Sequence, residues 1–286
     1  MIPPLDTELV RRVVREALEE DGAFRDVTTQ TTVPPGQRGH GVFLSKDTGV
    51  LAGLPLAAAA FEALDPSIDL KLSLTDGAAV EHGSIIASIE GPLAPILSAE
   101  RIALNFLQRL SGVATATRAL VEAIDGLPSR IVDTRKTTPG LRALERYAVR
   151  LGGGQNHRFN LADGVLIKDN HLAAGRSRGL TLTQIIAAAR DGAPHTMRIE
   201  VEVTSFEEAQ EAVAAAADVI LLDNMGPSEM ARCVTMIDGR ALTEASGGVT
   251  IANVRAIAKS GVDIISSGAL THSAPALDIS LEIETE

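Results

Sequence analysis

A chain of 286 residues, 45% of them hydrophobic, can bury a full core without disulfide or metal staples, and fits one large α/β unit or two modest domains. Its 37 acidic against 26 basic side chains give a net charge of −11, and aromatics make up only 2%; together these exclude the basic groove and stacking platforms of a single-strand nucleic-acid binder. One cysteine, Cys233, excludes an internal disulfide framework and a Cys-based zinc site, and no apolar run approaches the roughly 18 residues that cross a bilayer.

The opening MIPPLDTELVRRVVREALEEDG carries charges where a signal peptide needs its apolar stretch, so a cytoplasmic protein acting on small molecules is expected. Within it Leu5, Val10, Val13, Val14, Ala17 and Leu18 follow a 3.6-residue period and predict an amphipathic helix over 5–20. From Thr28 to Ile96 short β-type runs (GHGVFLS, LKLSL, IIASIEG) alternate with turn signals such as Pro34-Pro35-Gly36 and Asp76-Gly77, around one helical insert, LPLAAAAFEAL, at 54–64. This predicts an α+β sandwich. The stretch DGAAVEHGSIIASIEG is similar to the turn of a lipoyl-type or hammerhead β-sandwich, but no lysine stands at the hairpin tip, so it is read as architecture. From Ser98 the pattern is helical, with a break expected at Gly112, where the domain boundary is placed.

Downstream, apolar strand-like runs begin near Arg130, Gly164, Arg198, Asp218, Ala241 and Val262, the last four recurring about every 20 residues with helical segments between them. Alternation of this kind predicts a parallel sheet with βα crossovers. No G-x-G-x-x-G follows a strand, which disfavours a dinucleotide fold and leaves an α/β barrel as the preferred reading. The predicted organisation is thus a sandwich domain over 1–112, with the tail 274–286 packing back on it, and an α/β barrel over 113–273.

Polar groups fall at the ends of the strand runs: Asp133-Thr134-Arg135-Lys136, Lys168-Asp169-Asn170-His171, Glu200 and Glu202, Asp223-Asn224, Glu244 with Ser246-Gly247-Gly248, and Ser266-Ser267-Gly268. A barrel builds its active site from such ends, and a whole set of them is hard to explain as turn and capping residues. The two late glycine turns leave backbone N–H groups uncovered just before predicted helices, which suits a phosphate. Segment 130–171 holds eight Lys/Arg against four acids, a net +4 inside a remainder of −15. Arg142, Arg146 and Arg150 recur on a predicted helix, where a solvated face is the safer reading for at least one; Arg135, Arg158 and Lys168 sit beside strand runs or in a Gly-rich loop and suit a polyanionic small molecule. Glu202 and Asp223, on adjacent strand tips, suit either Mg²⁺ or sugar hydroxyls.

The block DTRKTTPGLRALERYAVRLGGGQNHRFNLADGVLIKDNH (133–171) resembles the central block of the quinolinate phosphoribosyltransferase family. The likeness extends to EVEV (200–203), LLDN (221–224), EASGG (244–248) and SGALTHS (267–273), and upstream to SAERIALNFLQRLSGVAT (98–115) and EEDGAFRDVTT (19–29). The resemblance implies a pentosyltransferase that converts quinolinate and phosphoribosyl pyrophosphate to nicotinate mononucleotide, pyrophosphate and carbon dioxide with Mg²⁺. It implies a homodimer, the higher oligomeric state being left open, with no nucleic-acid or membrane partner. Carried over by residue, it implies that Arg135, His157, Arg158 and Lys168 hold the two quinolinate carboxylates, with Arg101 reaching in from the partner subunit. Lys136 would contact the phosphoribosyl pyrophosphate, Glu202 and Asp223 the ribose hydroxyls and metal, and Ser246, Gly247, Gly248, Gly268 and His272 the 5′-phosphate.

Other readings compete. A related pyrophosphorylase associated with molybdenum transport, or a more distant nicotinate phosphoribosyltransferase, would keep the chemistry and change the acceptor; three cations around one small ring suit a dicarboxylate better. Lys136 or Lys168 at a strand end would suit Schiff-base chemistry. A barrel that only binds sugar phosphates has no need of the carboxylate pair.

Overall fold

A computed structural model of the chain describes residues 2–285. In chain order the elements are α1 (Thr7–Asp21), α2 (Val27–Thr32), β1 (Arg38–Ser45), β2 (Gly49–Val50), α3 (Leu54–Leu64), β3 (Asp69–Leu72), β4 (Ala79–Val80), β5 (Ile85–Pro92) and α4 (Leu93–Ala123). There follow β6 (Arg130–Val132), α5 (Arg142–Leu151), β7 (Val165–Ile167), α6 (Asp169–Arg176), α7 (Leu182–Gly192), β8 (Ile199–Val203), α8 (Phe206–Ala214), β9 (Val219–Asp223) and α9 (Pro227–Ile237). The series ends with β10 (Leu242–Ser246), α10 (Val254–Ala258), β11 (Ile264–Ser266), α11 (Ala269–His272) and β12 (Ile279–Thr285). The chain forms two compact units that interleave in sequence: one holds the residues up to Arg118, Pro139–Gly153 and those from Ala274 on, the other Ala119–Thr138 and Gly154–Ser273.

In the first unit α1 begins where Asp6 Oδ1 accepts the Leu9 N–H at 2.8 Å, and it stops at Gly22 in the left-handed region. It buries Val10, Val13, Val14 and Leu18, the stripe expected from the period, and packs on α3. An antiparallel sheet of order β12–β1–β5–β3 carries the core on one face, with Phe43 and Phe61 edge-to-face at 5.9 Å among Leu51, Leu56, Ile86 and Ile89. The C-terminal strand pairs antiparallel along β1 from Ser45↔Ile279 to Gly39↔Thr285, and so covers β1 and becomes the outer strand itself.

Two expectations are corrected here. Helix α4 runs unbroken from Leu93 to Ala123, so Gly112 is no helix break. A Cβ at Gly112 would fall well inside van der Waals contact of the Pro275 carbonyl oxygen and 2.9 Å from its carbon; glycine is there so that the C-terminal segment can cross the helix. The Arg142–Arg146–Arg150 repeat is no solvated face either, since Arg146 is buried and neither of the others is exposed. Beside Arg146, the fully buried Glu145 carboxylate takes the Arg109 guanidinium at 2.7 Å. All three arginines lie in the first unit, so the +4 segment does not serve a single site.

The second unit holds six parallel strands in the order β6–β11–β10–β9–β8–β7. Strand β8 and strand β9 are buried almost throughout, as expected of strands covered on both faces. No ladder among the described residues joins β6 to β7. Instead the segment around Gln155 lies against the free edge of β6, with Gln155 N–H donating to Ile131 O at 2.8 Å and Asp133 N–H to Gln155 O at 3.2 Å. Residues of all six strands, among them Val132, Val165, Glu200, Val219, Leu242 and Ile264, line one interior cavity of about 540 Å³ that opens at the N-terminal ends. A flat sheet could not enclose such a space. The architecture is a six-stranded barrel whose wall is completed by a loop.

Replacing Gly112 by alanine gains about 1 kcal/mol of helix propensity but forces backbone against backbone, an overpacking cost of about 1–3 kcal/mol or more. The G112A variant is expected to melt several degrees below wild type, whereas G192A, at the open end of α7, is expected to match it. Equal melting temperatures for the two variants would refute the close-approach account.

Candidate active site

At the C-terminal ends of the strands lies a second cavity of about 810 Å³. Arg135, Lys136, His157, Arg158, Lys168, Glu202, Asp223, Ser246, Gly247, Gly248, Gly268 and His272 all line it. The period-2 alternation of the strands puts Glu202 and Asp223 on the inward face, and short loops carry the rest over the mouth. Arg101 is placed elsewhere. It lies in the first unit, exposed on α4, and lines a smaller cavity with Asp21, Arg25, Asp26, Val27 and Ser98.

The cations are positioned from beneath by Asp133, whose buried carboxylate accepts the His157 backbone N–H at 2.8 Å and the Asn156 amide at 2.6 Å. This fixes the loop that fills the barrel wall and presents Arg158. Arg158 Nη1 donates to Gly164 O, just before β7, at 3.0 Å. Burial, and after it the neighbouring Arg135 guanidinium, pull Arg158 below its ordinary value. Arg135 Nε is buried with no hydrogen-bond partner among the described residues. Two guanidiniums in mutual repulsion, one with a buried donor unsatisfied, are suited to a planar anion that bridges them.

Across the chamber Lys168 Nζ sits 2.5 Å from Glu202 Oε2. Asp223 Oδ2 accepts the Asn224 amide at 2.6 Å. Burial, then the Glu202 charge, push the Asp223 carboxyl up, and Lys168 and Lys136 partly offset them. The result is a zone of alternating charge beside the guanidinium pair.

The glycine turns hold their expected place but not their expected helices. Gly247 and Gly248 both have positive φ, at 94° and 59°, and a Cβ on Gly247 would collide with Asn224 Oδ1. Yet α10 has five residues and α11 has four, too short for the dipole that the sequence suggested. What these turns offer an anion is successive backbone N–H groups in a concave loop. Lys136 lies across Gly268, where a Cβ would meet its Cδ at 2.9 Å, and Thr271 Oγ1 donates to Lys136 O at 2.7 Å.

Sequence reasoning misplaced Glu200 and Glu244 at strand tips. They are the second residue of β8 and the third of β10, and both point into the barrel, 93% and 98% buried. Their Oε2 atoms lie 3.4 and 3.3 Å from His157 Nε2. The signal was present in the i, i+2 spacing of Glu200 and Glu202, which puts both on one face of the strand. The three side chains could hold a metal by proximity alone. However, the Arg158 backbone N–H donates to Nδ1 at 2.8 Å, so a singly protonated ring carries its proton on Nε2, facing the two carboxylates. That N–H opposes a second proton on the ring, because a buried donor left without an acceptor costs about 1–3 kcal/mol, while each of two carboxylates at this range attracts the cation by about 4 kcal/mol at an effective dielectric of about 20. Burial pulls the ring down, and the Glu200 and Glu244 carboxylates overcome it and push His157 up to about 10.

Comparison with known proteins matches residues 113–282 to the model of the quinolinate phosphoribosyl transferase C-terminal domain and 26–111 to that of the N-terminal domain. A probable nicotinate-nucleotide pyrophosphorylase (carboxylating) of Synechocystis sp. is 47% identical, covering 94% of this chain and 91% of that protein. A counterpart so named in Bacillus subtilis is 42% identical over 96% and 93%. Among solved structures, NadC from Streptococcus pyogenes superposes with a TM-score of 0.93 at 38% identity, with 99% of both chains covered. The chain belongs to the quinolinate phosphoribosyl transferase family.

Proposed function

We propose that this protein transfers the phosphoribosyl group of phosphoribosyl pyrophosphate to quinolinate with loss of one carboxylate, giving nicotinate mononucleotide, pyrophosphate and carbon dioxide for NAD synthesis. The observation that carries the reading is the convergence of Arg135, Arg158 and Lys168 in one chamber with Glu202 and Asp223. Three cations match two carboxylates on a small ring, and two acids match a sugar that gains positive charge.

The quinolinate nitrogen attacks C1 of the ribose while the C1–oxygen bond to pyrophosphate breaks and its electron pair leaves with the pyrophosphate. The nitrogen is the nucleophile, so no activated Ser or Cys is needed. Arg135, His157, Arg158 and Lys168 fix the two carboxylates, and so aim the nitrogen. Glu202 and Asp223 face the ribose and stabilise its developing charge. Once alkylated, the ring nitrogen is cationic and draws in the electron pair of the adjacent carbon–carboxylate bond; carbon dioxide leaves and the ring carbon takes up a proton. Lys136 contacts the pyrophosphate, and Ser246, Gly247, Gly248, Gly268 and His272 hold the 5′-phosphate through backbone N–H groups and side-chain tips. Schiff-base chemistry at Lys136 or Lys168 has no part in this reaction.

Mg²⁺ fits the donor set: Glu202 and Asp223 are oxygen ligands on adjacent strands, and the mutual repulsion that helps push Asp223 up is of the kind a divalent cation relieves. When bound, the ion supplies positive charge to the departing pyrophosphate. We place the enzyme in the cytoplasm as a homodimer, with Arg101 of the partner subunit completing each chamber, on the resemblance of SAERIALNFLQRLSGVAT and on the exposure of Arg101.

Ultraviolet assay with quinolinate, phosphoribosyl pyrophosphate and Mg²⁺ tests the whole reading, and absence of turnover would overturn it. R135A is expected to raise the quinolinate KM and lower kcat, a loss of about 10- to 100-fold in kcat/KM for one charge-assisted recognition; unchanged kinetics would remove Arg135 from the site. D223N is expected to cut kcat about 100-fold with an unaltered melting temperature. If Arg101 acts across a dimer, mixing R101A with K168A subunits restores one complete chamber per heterodimer, about a quarter of wild-type activity at statistical mixing. No recovery in verified heterodimers would show that each subunit is self-sufficient.

A further inference from the structure

The buried acids Glu200 and Glu244 are more than the proposed chemistry requires. Each commits one oxygen towards His157 Nε2, and the other oxygen has no hydrogen-bond partner among the described residues. Two like charges are costly at this depth unless a cation stands between them. His157 occupies that position, and both His157 and Glu244 line the chamber above as well as the cavity below.

We infer that Glu200 and Glu244 are positioning residues for the acceptor substrate: from inside the barrel they orient the His157 ring and hold a positive charge on it, available to one quinolinate carboxylate. This rests on the reading of the chamber as a dicarboxylate site. Glu200 does not line the chamber, and neither acid is assigned a contact with substrate. They act through the ring, whose side chain is 15% exposed and so keeps a face to the chamber.

The charged groups around the ring come from every side. Glu200 approaches from β8 and Glu244 from β10, while Asp133, after β6, takes the ring residue's own backbone N–H. Arg135, Arg158 and Lys168 share the chamber side, and Arg130, Arg198 and Asp163 share the lower cavity. Burial by itself favours the neutral imidazole. The two carboxylates reverse that, in line with the raised proton affinity of the ring.

Removal of one carboxylate lowers the pH at which the ring loses its charge, and removal of both brings it into the ordinary histidine range or below. Weaker carboxylate binding then appears as pH rises, because the lost species is the cation. In wild type the His157 ring, followed by NMR of selectively labelled histidine, is expected to remain charged from pH 6 to 9, with a flat quinolinate KM. In E200Q/E244Q the ring is expected to titrate near or below pH 6.5, and the quinolinate KM to climb about tenfold between pH 6 and 8. The KM for phosphoribosyl pyrophosphate is expected to move less than twofold. E244D, which keeps the charge, is expected to retain the flat profile.

An ordinary titration of His157 in wild type would overturn the inference, and this measurement requires no variant to fold. A double variant with a flat quinolinate KM would overturn it equally. H157Q separates this from failure of the site reading. If H157Q leaves the quinolinate KM unchanged, His157 does not contact the substrate; if H157Q raises it while E200Q/E244Q stays flat, only the role of the two acids is lost.

Discussion

The chamber depends on one fully buried carboxylate. Asp133 stands at the end of the shortest class of strand in the barrel and takes hydrogen bonds from two successive residues of the loop that runs past it. Those bonds determine where His157 and Arg158 begin, and hence where the ring and the guanidinium end. A charged acceptor satisfied by backbone and amide donors is a stiff joint, because leaving either donor or the carboxylate unpaired at this depth costs several kcal/mol. Asp133 is itself assigned no contact with substrate, yet a change there would move two of the cations at once.

The joint is needed because the barrel is incomplete. Six strands curve around a common interior, but β6 and β7 do not pair, and the intervening wall is made by the segment at Gln155 and by Arg158 reaching to Gly164. A gap in the sheet thus becomes the place where charged side chains enter the interior. The barrel in turn has two cavities, with the Glu200–His157–Glu244 cluster as the partition between them. The side of Arg135, Arg158 and Lys168 is rich in cations, and the partition contributes the opposite charge from below, which offsets their mutual repulsion.

Much of this was readable from the chain. The strand rhythm from Arg198 onward and the amphipathic stripe of α1 located elements, and the polar strand ends together with the family resemblance named twelve residues that the structure gathers around one cavity. What escaped was set by contacts distant in sequence. Gly112 looked like a helix break because glycine is a poor helix former; its reason is a backbone crossing by Pro275, 163 positions later in the chain. At least one of Arg142, Arg146 and Arg150 was expected on a solvated face because of its charge, and none is exposed; Arg146 is buried in the unit that also buries Glu145. Glu200 and Glu244 were assigned to strand tips because buried acids are rare, and the partner that makes their burial tolerable sits in a loop about forty residues upstream of the first. Local pattern locates elements and faces, but it cannot show which distant group compensates a charge.

The loop at Ser246-Gly247-Gly248 has a consequence for how this site tolerates change. Its two glycines adopt left-handed backbone conformations, one of them pressed against Asn224, and the helix that follows is barely more than a turn. Where this loop offers backbone N–H groups, it carries nothing that a point substitution can simply trim away. Changes at Gly247 would act by bending the chain out of shape, and a variant there would report on conformation before it reported on affinity. On the proposed function, this end of the chamber is sensitive to the shape of its main chain, above all at Gly247, whereas the guanidinium end depends on the chemistry of each side chain.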